Sequence, residues 1–301
     1  MSGEVVTLRV GDRAVAEYVV SPDLEPQVAP RPYLHPVRTW RGTVVTDALP
    51  ADHRWHLGAS LAVPDVSGTN LWGGRTYVRG HGYTWRDDHG RIVHDGFLTE
   101  QPGHVVQRLR WCDRAGNTLL TERRQLRARS LPGRPEAWVL EVGYALTAPE
   151  DRPVSLGSPA TNGRPGGAGY GGFFWRAAPA APPPRVFTAT VEGEEKVNGG
   201  DAGWVALVAA APAAYSLVFA GLGEKDRWFV RSSMYPGVCA AFAFEEVRII
   251  PAGRTFARRH TVVVVDGAVT PGEAGELVAA ATSLATHGDP ALHSGALVAT
   301  G

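Results

Sequence analysis

Short β-rich segments separated by turn residues run through almost the whole chain, and they limit the possible folds more than any other feature. Examples are VTLRV, RAVAEYVV, VVQRLRW, TLLTERRQLRA, AWVLEVGYAL, VFTATVEG and RHTVVVVDG. Helical patterning is confined mainly to the end, where Thr270 and Glu273 form a capping-box sequence ahead of an alanine-rich run. The sequence therefore predicts an all-β protein, a large antiparallel β-sandwich with one short C-terminal helix.

The distribution of these segments also indicates the domain organisation. A proline-rich run from Ala177 to Pro184 is short, and strand-like sequence continues on both sides of it. Such a run is more typical of a loop within a domain than of an interdomain linker. We therefore expect a single β-sandwich domain over residues 1–301, without internal repeats.

Composition excludes several classes of partner. The 30 basic and 30 acidic side chains give a formal net charge of zero, so there is no global basic surface for nucleic acid or acidic lipid. The two cysteines, Cys112 and Cys239, lack metal-type spacing and indicate neither a disulfide framework nor a thiolate zinc site. The N-terminal segment alternates instead of resembling a leader peptide, which predicts a cytoplasmic protein.

An uncharged stretch from Gly203 to Gly223 has about the length of a membrane span. It is rich in alanine and glycine, however, and Pro212 interrupts it between WVALV and YSLVF. Two buried strands joined by a turn account for this composition better than a transmembrane helix does. We therefore expect no membrane partner.

Polar chemistry is concentrated between Arg31 and Trp72. In this segment imidazole, guanidinium and carboxylate groups are interspersed with tryptophans, and no long helical apolar period runs through it. A core or a solvated face rarely combines these groups, whereas a pocket for a polar substrate does. We therefore expect the functional site to include this segment.

Two histidines of this segment, His53 and His56, lie three residues apart and follow Asp52. Pro50 and Gly58 flank them and favour a loop that leads into a strand. A regular strand would point the two imidazoles to opposite faces, so shared metal binding requires an irregular backbone. Two interpretations stay open: the pair holds a divalent metal ion, or at least one imidazole lines a substrate pocket.

Other side chains suited to a polar pocket are scattered along the chain, and each also has a structural interpretation. His35 beside Arg38 suits a sugar hydroxyl or a surface loop, and Trp72 suits stacking on a pyranose ring or a core. Glu122 shares a strand face with leucines, which favours a buried pair with an arginine over a tuned acid or base. The remaining candidates are His94, Arg176 and Arg231.

The glycine pattern GAGYGG at residues 167–172 has the spacing of a dinucleotide-binding loop. That loop requires a helix to follow it within a βαβ unit, because the pyrophosphate binds at the helix N-terminus. Here the strand-like FFWR follows instead. The pattern predicts an ordinary loop, and we expect no nucleotide cofactor.

Taken in order, RPYLHPVRTWRGTVVTDALPADHRWHLG, DVSGTNLWGG, GRIVHDG, LLTERR and GYGGFFWR resemble motifs of the PmoA-like family of bacterial soluble proteins. The resemblance spans most of the chain and implies a galactose-mutarotase-like supersandwich with a role in sugar catabolism. The methane oxygenase activity in the family's name is not carried over, because the chain lacks credible membrane spans and a copper-type site. The site residues that the resemblance implies are His35, Arg38, Thr46, Asp52, His53, His56, Trp72, His94, Glu122, Arg176 and Arg231.

These observations predict a carbohydrate-active enzyme, a lyase, hydrolase or epimerase that abstracts a proton from a sugar carbon or cleaves a glycosidic bond. The expected catalytic residues are His53, His56, His94 and Glu122. The residues expected to bind a small saccharide or glycoside are His35, Arg38, Asp52, Trp72, Arg176 and Arg231. A non-catalytic carbohydrate-binding or scaffold protein is the alternative from another class, and a metal-dependent oxygenase is a weaker one.

Overall fold

Two large β-sheets face each other in the computed structural model of the protein, which describes residues 4–285. The first sheet has seven strands, in the spatial order β1 (Val5–Val10), β2 (Arg13–Val19), β3 (Tyr33–Val37), β4 (Ala59–Ala62), β13 (Gly172–Arg176), β18 (Gly237–Ala241) and β17 (Arg227–Arg231). The second has eight strands, in the order β14 (Arg185–Phe187), β15 (Trp204–Ala209), β16 (Tyr215–Ala220), β20 (Thr255–Asp266), β11 (Ala137–Thr147), β10 (Thr118–Ser130), β9 (His104–Cys112) and β8 (Arg91–Gln101).

Smaller elements complete the described part of the chain. A three-stranded sheet has the order β19 (Arg248–Ile250), β12 (Val154–Gly157) and β5 (Asp65–Val66), and a hairpin consists of β6 (Thr76–Val78) and β7 (Gly82–Thr84). The helices are a 3-10 turn (Pro26–Val28), α1 (Glu194–Val197) and α2 (Pro271–Ala285). The strands that form these sheets pair antiparallel.

The period-two alternation of side chains fills the space between the two large sheets. Phe173 and Trp175 of β13 and Trp138 and Leu140 of β11 are buried in one core that both sheets share. The outer faces are covered differently. Helix α2 packs on β15, β16 and β20 of the eight-stranded sheet, whereas loops cover part of the seven-stranded sheet.

The fold class predicted from the sequence is confirmed, including the C-terminal helix. Its capping box forms as expected: the Thr270 N–H donates to the Glu273 carboxylate at 2.8 Å, and the Glu273 N–H donates to the Thr270 hydroxyl at 3.3 Å. One predicted strand is shorter than expected. Only Arg185–Phe187 of the segment around VFTATVEG is a strand, because the Thr188 N–H donates to the Val191 carbonyl and turns the chain back.

The uncharged stretch from Gly203 to Gly223 contains the two buried strands β15 and β16, as its composition predicted. None of the helices between residues 4 and 285 has the length and apolar character that crossing a bilayer requires. The proline-rich run joins β13 to β14, which lie in different sheets around the shared core. A single domain over residues 1–301 stays a prediction, because residues 1–3 and 286–301 lie outside the described part.

Glu122 lies in the sandwich interior and forms a two-fold ion pair with Arg124. The Arg124 Nε donates to Oε1 at 2.6 Å and Nη2 donates to Oε2 at 2.8 Å, while Trp111 Nε1 donates to Oε2 at 2.7 Å. Burial alone would lower the pKa of Arg124, but the Glu122 carboxylate and the Tyr18 hydroxyl raise it above its ordinary value. This side-chain arrangement is the buried pair that the strand pattern favoured for Glu122.

We expect Glu122→Ala to lower the free energy of unfolding by about 3–5 kcal/mol, because it leaves the Arg124 guanidinium buried without its carboxylate partner. Urea unfolding followed by tryptophan fluorescence measures the change. The control is Glu192→Ala, which breaks the exposed pair with Arg185 and should alter stability very little. Equal losses in the two variants would contradict a special role for the buried pair.

Candidate functional site

Alternation along two strands of the seven-stranded sheet places polar and aromatic side chains on its outer face. On β13, Phe174 and Arg176 point away from the shared core, and on β17 Phe229 and Arg231 do the same. Phe174 and Phe229 are buried beneath the loops that cover this face. The outer face of the sheet therefore supplies both an aromatic base and two guanidinium groups.

The loop between β3 and β4 carries Asp52, His53 and His56 over this face. Two successive turns shape it: the His53 N–H donates to the Pro50 carbonyl at 3.1 Å, and the His56 N–H donates to the His53 carbonyl at 2.9 Å. The loop ends at Gly58, where φ is 46° and a Cβ would lie 2.1 Å from a carbonyl oxygen of β3. This irregular backbone brings the two imidazoles together, where a regular strand would have separated them.

These groups open into a cleft of about 440 Å³. Its size is typical of a small-molecule site. Aromatic rings form most of its wall: Trp55, Trp72, Tyr83, Trp85, Tyr170, Phe229 and Tyr235. The charged lining within the described residues consists of Asp52, Arg75, Arg164 and Arg231.

The hydrogen bond between Asp52 and His53 determines which nitrogen of His53 carries a proton. Nδ1 lies 2.8 Å from Oδ2 of Asp52, and an ionised carboxylate can only accept, so Nδ1 donates. Burial works to raise the pKa of Asp52, but the hydrogen bonds and charges of His53 and Arg176 lower it below its ordinary value. Asp52 is therefore ionised at neutral pH, and neutral His53 carries a lone pair on Nε2.

The contact between Arg176 and His56 determines the opposite tautomer. Arg176 Nη1 lies 3.2 Å from His56 Nδ1, and a guanidinium can only donate, so Nδ1 accepts and neutral His56 carries its proton on Nε2. Burial, with the charges of His53, Arg176 and Arg31, holds the pKa of His56 well below its ordinary value. Arg176 also donates from Nη2 to both carboxylate oxygens of Asp52 at 3.3 Å.

The two imidazoles are stacked, with ring centroids 4.7 Å apart and an angle of 18° between their planes. The Tyr235 ring lies 5.0 Å from each of them. Nδ1 of His53 is engaged by Asp52 and Nδ1 of His56 by Arg176, so Nε2 is the nitrogen that each ring has left for a ligand. The stacked pair therefore combines a proton acceptor, the lone pair of neutral His53, with a hydrogen-bond donor, the N–H of His56.

A fully buried arginine, Arg31, joins the loops that form the cleft. Its guanidinium donates at 2.9–3.1 Å to the backbone carbonyls of Val28, Ala29, Trp55 and Trp72. Burial lowers its pKa to about 9, so the side chain is still charged at neutral pH. Because two of these carbonyls belong to tryptophans that line the cleft, Arg31 holds the aromatic wall in place.

The structure brings several of the predicted site residues together at the cleft: Asp52, His53, His56, Trp72, Arg176 and Arg231. Trp72 is 3% exposed and packs against Tyr170 with ring centroids 4.6 Å apart. Trp72 is therefore a buried core ring that also contacts the cleft. The catalytic and binding roles assigned to these residues stay predictions.

The other predicted site residues do not line the cleft: His35, Arg38, His94 and Glu122. His35 Nδ1 lies 3.0 Å from the Thr46 hydroxyl, and His94 Nδ1 lies 2.8 Å from Gln107 Oε1 on the eight-stranded sheet. Glu122 is enclosed with Arg124 in the shared core. Alternation predicts which face of a strand a side chain takes, but it does not predict which of the two sheets the strand joins.

The described residues supply no third ligand for a metal ion held by His53 and His56. Within residues 4–285, no group of three His, Cys, Asp or Glu side chains is arranged to hold a metal ion. Each of the two imidazoles already uses Nδ1, for Asp52 and Arg176 respectively, and the guanidinium beside them repels a cation.

Sequence reasoning missed several residues that shape the site: Arg31, Arg75, Tyr83, Arg164 and Tyr235. Most of them lie in turns and loops, where no period indicates a buried or exposed face. A signal existed for Arg31, which opens the same polar segment as the histidines. The glycine-rich GAGYGG loop gave a similar signal for Tyr170, another residue of the cleft wall, because it displays one large side chain among small ones.

The family model that matches residues 5–279 is described as a family of unknown function (DUF6807). The resemblance to the PmoA-like family is therefore wrong, because nothing in this match indicates that family. Some of the short motifs that suggested it contribute residues to the cleft, but the motifs do not identify the family. None of the curated proteins matches the sequence.

Several solved structures are similar. A putative aldose 1-epimerase from Escherichia coli K12 has a TM-score of 0.44 and 10% identity, covering 87% of this chain and 99% of that chain. Heparan sulfate lyase HepC from Pedobacter heparinus has a TM-score of 0.37 and 9% identity, covering 85% of this chain and 34% of that chain. A putative kojibiose phosphorylase from the human microbiome has a TM-score of 0.32 and 7% identity, covering 68% and 26%. At these TM-scores the similarities carry no argument about the activity of this chain.

We expect His56 to stay neutral, with its proton on Nε2, through the pH range around 6.5 in which an ordinary histidine takes up its second ring proton, because burial and the neighbouring positive charges hold its pKa well below the ordinary value. Two-bond ¹H–¹⁵N spectra of the imidazoles report the protonated nitrogen directly. In the comparison variant Arg176→Met the donor to Nδ1 is gone, and we expect a mixture of tautomers. Protonation of Nδ1 in the unmodified protein at neutral pH would contradict this assignment.

Proposed function

The chain belongs to a family of unknown function (DUF6807), and we propose that it is a carbohydrate-active enzyme that removes a proton from a carbon of a small saccharide or glycoside. The observation that carries the proposal is the stacked imidazole pair, which offers the His53 lone pair and the His56 N–H in an aromatic cleft. Aromatic faces suit the apolar faces of sugar rings, and the polar groups suit their hydroxyls.

In the proposed reaction, His53 Nε2 takes a proton from a carbon next to a carbonyl group. The electron pair of the broken C–H bond moves into the carbonyl, and the enolate oxygen that results accepts the Nε2–H of His56. Asp52 stabilises the imidazolium formed on His53, and Arg176 holds both Asp52 and the His56 tautomer. Delivery of a proton from solvent to the opposite face, with His53 later losing its proton to solvent, gives an epimer, and departure of a group from the neighbouring carbon with its bonding electron pair gives an elimination product.

Proton abstraction is better supported than glycosidic-bond cleavage. Most glycosidases place two carboxyl groups on either side of the bond that they break. Within the described residues, Asp52 is the one carboxylate that lines this cleft, and it is held by His53 and Arg176. Glu122, the other carboxylate considered, is enclosed in the core with Arg124.

We expect the protein to exchange a carbon-bound hydrogen of its substrate for deuterium in D₂O, because a proton taken by His53 equilibrates with solvent before it returns. Proton NMR of a panel of aldoses, uronic acids, glycosides and keto-glycosides measures this exchange, even where no net product accumulates. His53→Gln should slow it by about 10²–10⁴-fold, the usual contribution of a general base. Asp52→Asn should slow it by about 10²-fold or more, because the amide no longer fixes the His53 tautomer.

A matched control is His104→Gln, which replaces a half-buried histidine at the start of β9 and should leave the exchange rate unchanged. Exchange at the unmodified rate in His53→Gln would overturn the proposed base. Saccharide binding measured by calorimetry without exchange or product in the unmodified protein would favour a non-catalytic carbohydrate-binding protein instead.

A further inference from the structure

We infer that the cleft takes an acidic saccharide, whose oxyanion group, a carboxylate, sulfate or phosphate, binds between Arg75 and Arg164. The inference rests on the proposed function, since it names the substrate class for the same cleft. Its independent support is the positive charge of the cleft, the partners that each guanidinium has or lacks, and the aromatic rings that lie beside two of the guanidiniums.

The cleft carries a local excess of positive charge that the chain as a whole does not have. The whole sequence is balanced, with 30 basic and 30 acidic side chains. Among the described residues, however, three arginines line the cleft against the one carboxylate of Asp52. That carboxylate is already bonded to His53 and Arg176, so it does not neutralise the other guanidiniums. A concave site with this charge favours an anionic ligand.

Arg164 is held in position but has no acidic partner among residues 4–285. Its Nη1 donates to the Tyr83 hydroxyl, and its guanidinium carbon lies 4.8 Å from the centroid of the Tyr83 ring. The Tyr83 hydroxyl in turn lies 2.7 Å from the hydroxyl of Tyr170, another residue of the cleft wall. The side chain is half-buried, and its remaining N–H groups have no acceptor in the described part of the protein.

Arg75, an exposed residue of the cleft lining, also lies beside an aromatic ring. Its guanidinium carbon lies 5.8 Å from the centroid of the half-exposed Trp85 ring, and no carboxylate in the described range pairs with it. Gly74 fixes the preceding backbone at a φ of 70°, where a Cβ would lie 2.5 Å from the Trp55 ring. The backbone before Arg75 therefore packs directly on Trp55, another residue of the cleft wall.

Arg231, the remaining arginine of the lining, already has a partner. Its Nη1 lies 3.7 Å from Glu194 Oε1 and donates to a backbone carbonyl at 2.7 Å. The unpaired guanidiniums are therefore those of Arg75 and Arg164. Planar N–H groups held over aromatic rings lose little freedom on binding, and they match the geometry of an oxyanion.

We expect an acidic saccharide to bind at least about tenfold more tightly than its neutral counterpart, because it gains charge-assisted hydrogen bonds. Calorimetry compares methyl glucoside with methyl glucuronide, glucose 6-sulfate and glucose 6-phosphate, and the tightest of the acids identifies the oxyanion. The preference should shrink as salt rises from about 20 mM to about 500 mM. The double variant Arg75→Gln/Arg164→Gln should reduce the affinity for the acid by about tenfold or more, and much more than it reduces the affinity for methyl glucoside.

The matched control is Arg91→Gln, which removes an exposed guanidinium from β8; circular dichroism checks that each variant is folded. Equal affinity for the neutral and acidic sugars would overturn the inference, while hydrogen exchange in D₂O would still support the proposed enzyme. Equal losses for both kinds of sugar in the double variant would also overturn it. Salt-sensitive, arginine-dependent binding of the acids without any exchange would support the inference and overturn the proposed catalysis.

Discussion

The cleft depends on one buried charge. Arg31 lies inside the protein without a carboxylate partner in the described residues, so its guanidinium is satisfied by backbone carbonyls and by the Ser60 hydroxyl. Those carbonyls belong to three separate stretches of chain, which the single side chain therefore holds in a fixed arrangement. Trp55 and Trp72 are positioned in this way, and the histidine loop shares its backbone with Trp55. The polar site is thus supported by a polar group in the layer beneath it.

Much of the fold and part of the site could be predicted from the sequence, for physical reasons that differ between residues. Strand periodicity predicted the sandwich, and the density of polar groups around His53 and His56 predicted the centre of the cleft. Periodicity predicted the buried pair of Glu122, but it did not predict that Glu122 and His94 lie away from the cleft, because it reports the face of a strand and not the sheet to which the strand belongs. It gave no information on Arg164, because the loop that carries it has no period.

Burial separates the carboxylates of this protein by what they can do. Asp226 is 1% exposed and gives both oxygens to arginines, with Arg258 Nε at 2.6 Å from Oδ2 and Arg248 Nη2 at 3.3 Å from Oδ1. Glu122 is enclosed in the same manner. The Asp52 side chain is 48% exposed, so it can accept the proton-bearing nitrogen of a histidine and still face a ligand. Enclosed carboxylates hold the fold, whereas a half-exposed one can respond to charge that appears beside it.

Strand β13 limits which changes of sequence the protein can accept. Its Phe173 and Trp175 fill the core between the sheets, while Phe174 and Arg176 lie on the opposite face and contact His56 of the cleft. Stability and chemistry are therefore encoded at alternate positions of the same five-residue strand. A substitution on one face of β13 can leave the residues of the other face in place. An insertion or deletion of one residue would instead exchange the two faces at once.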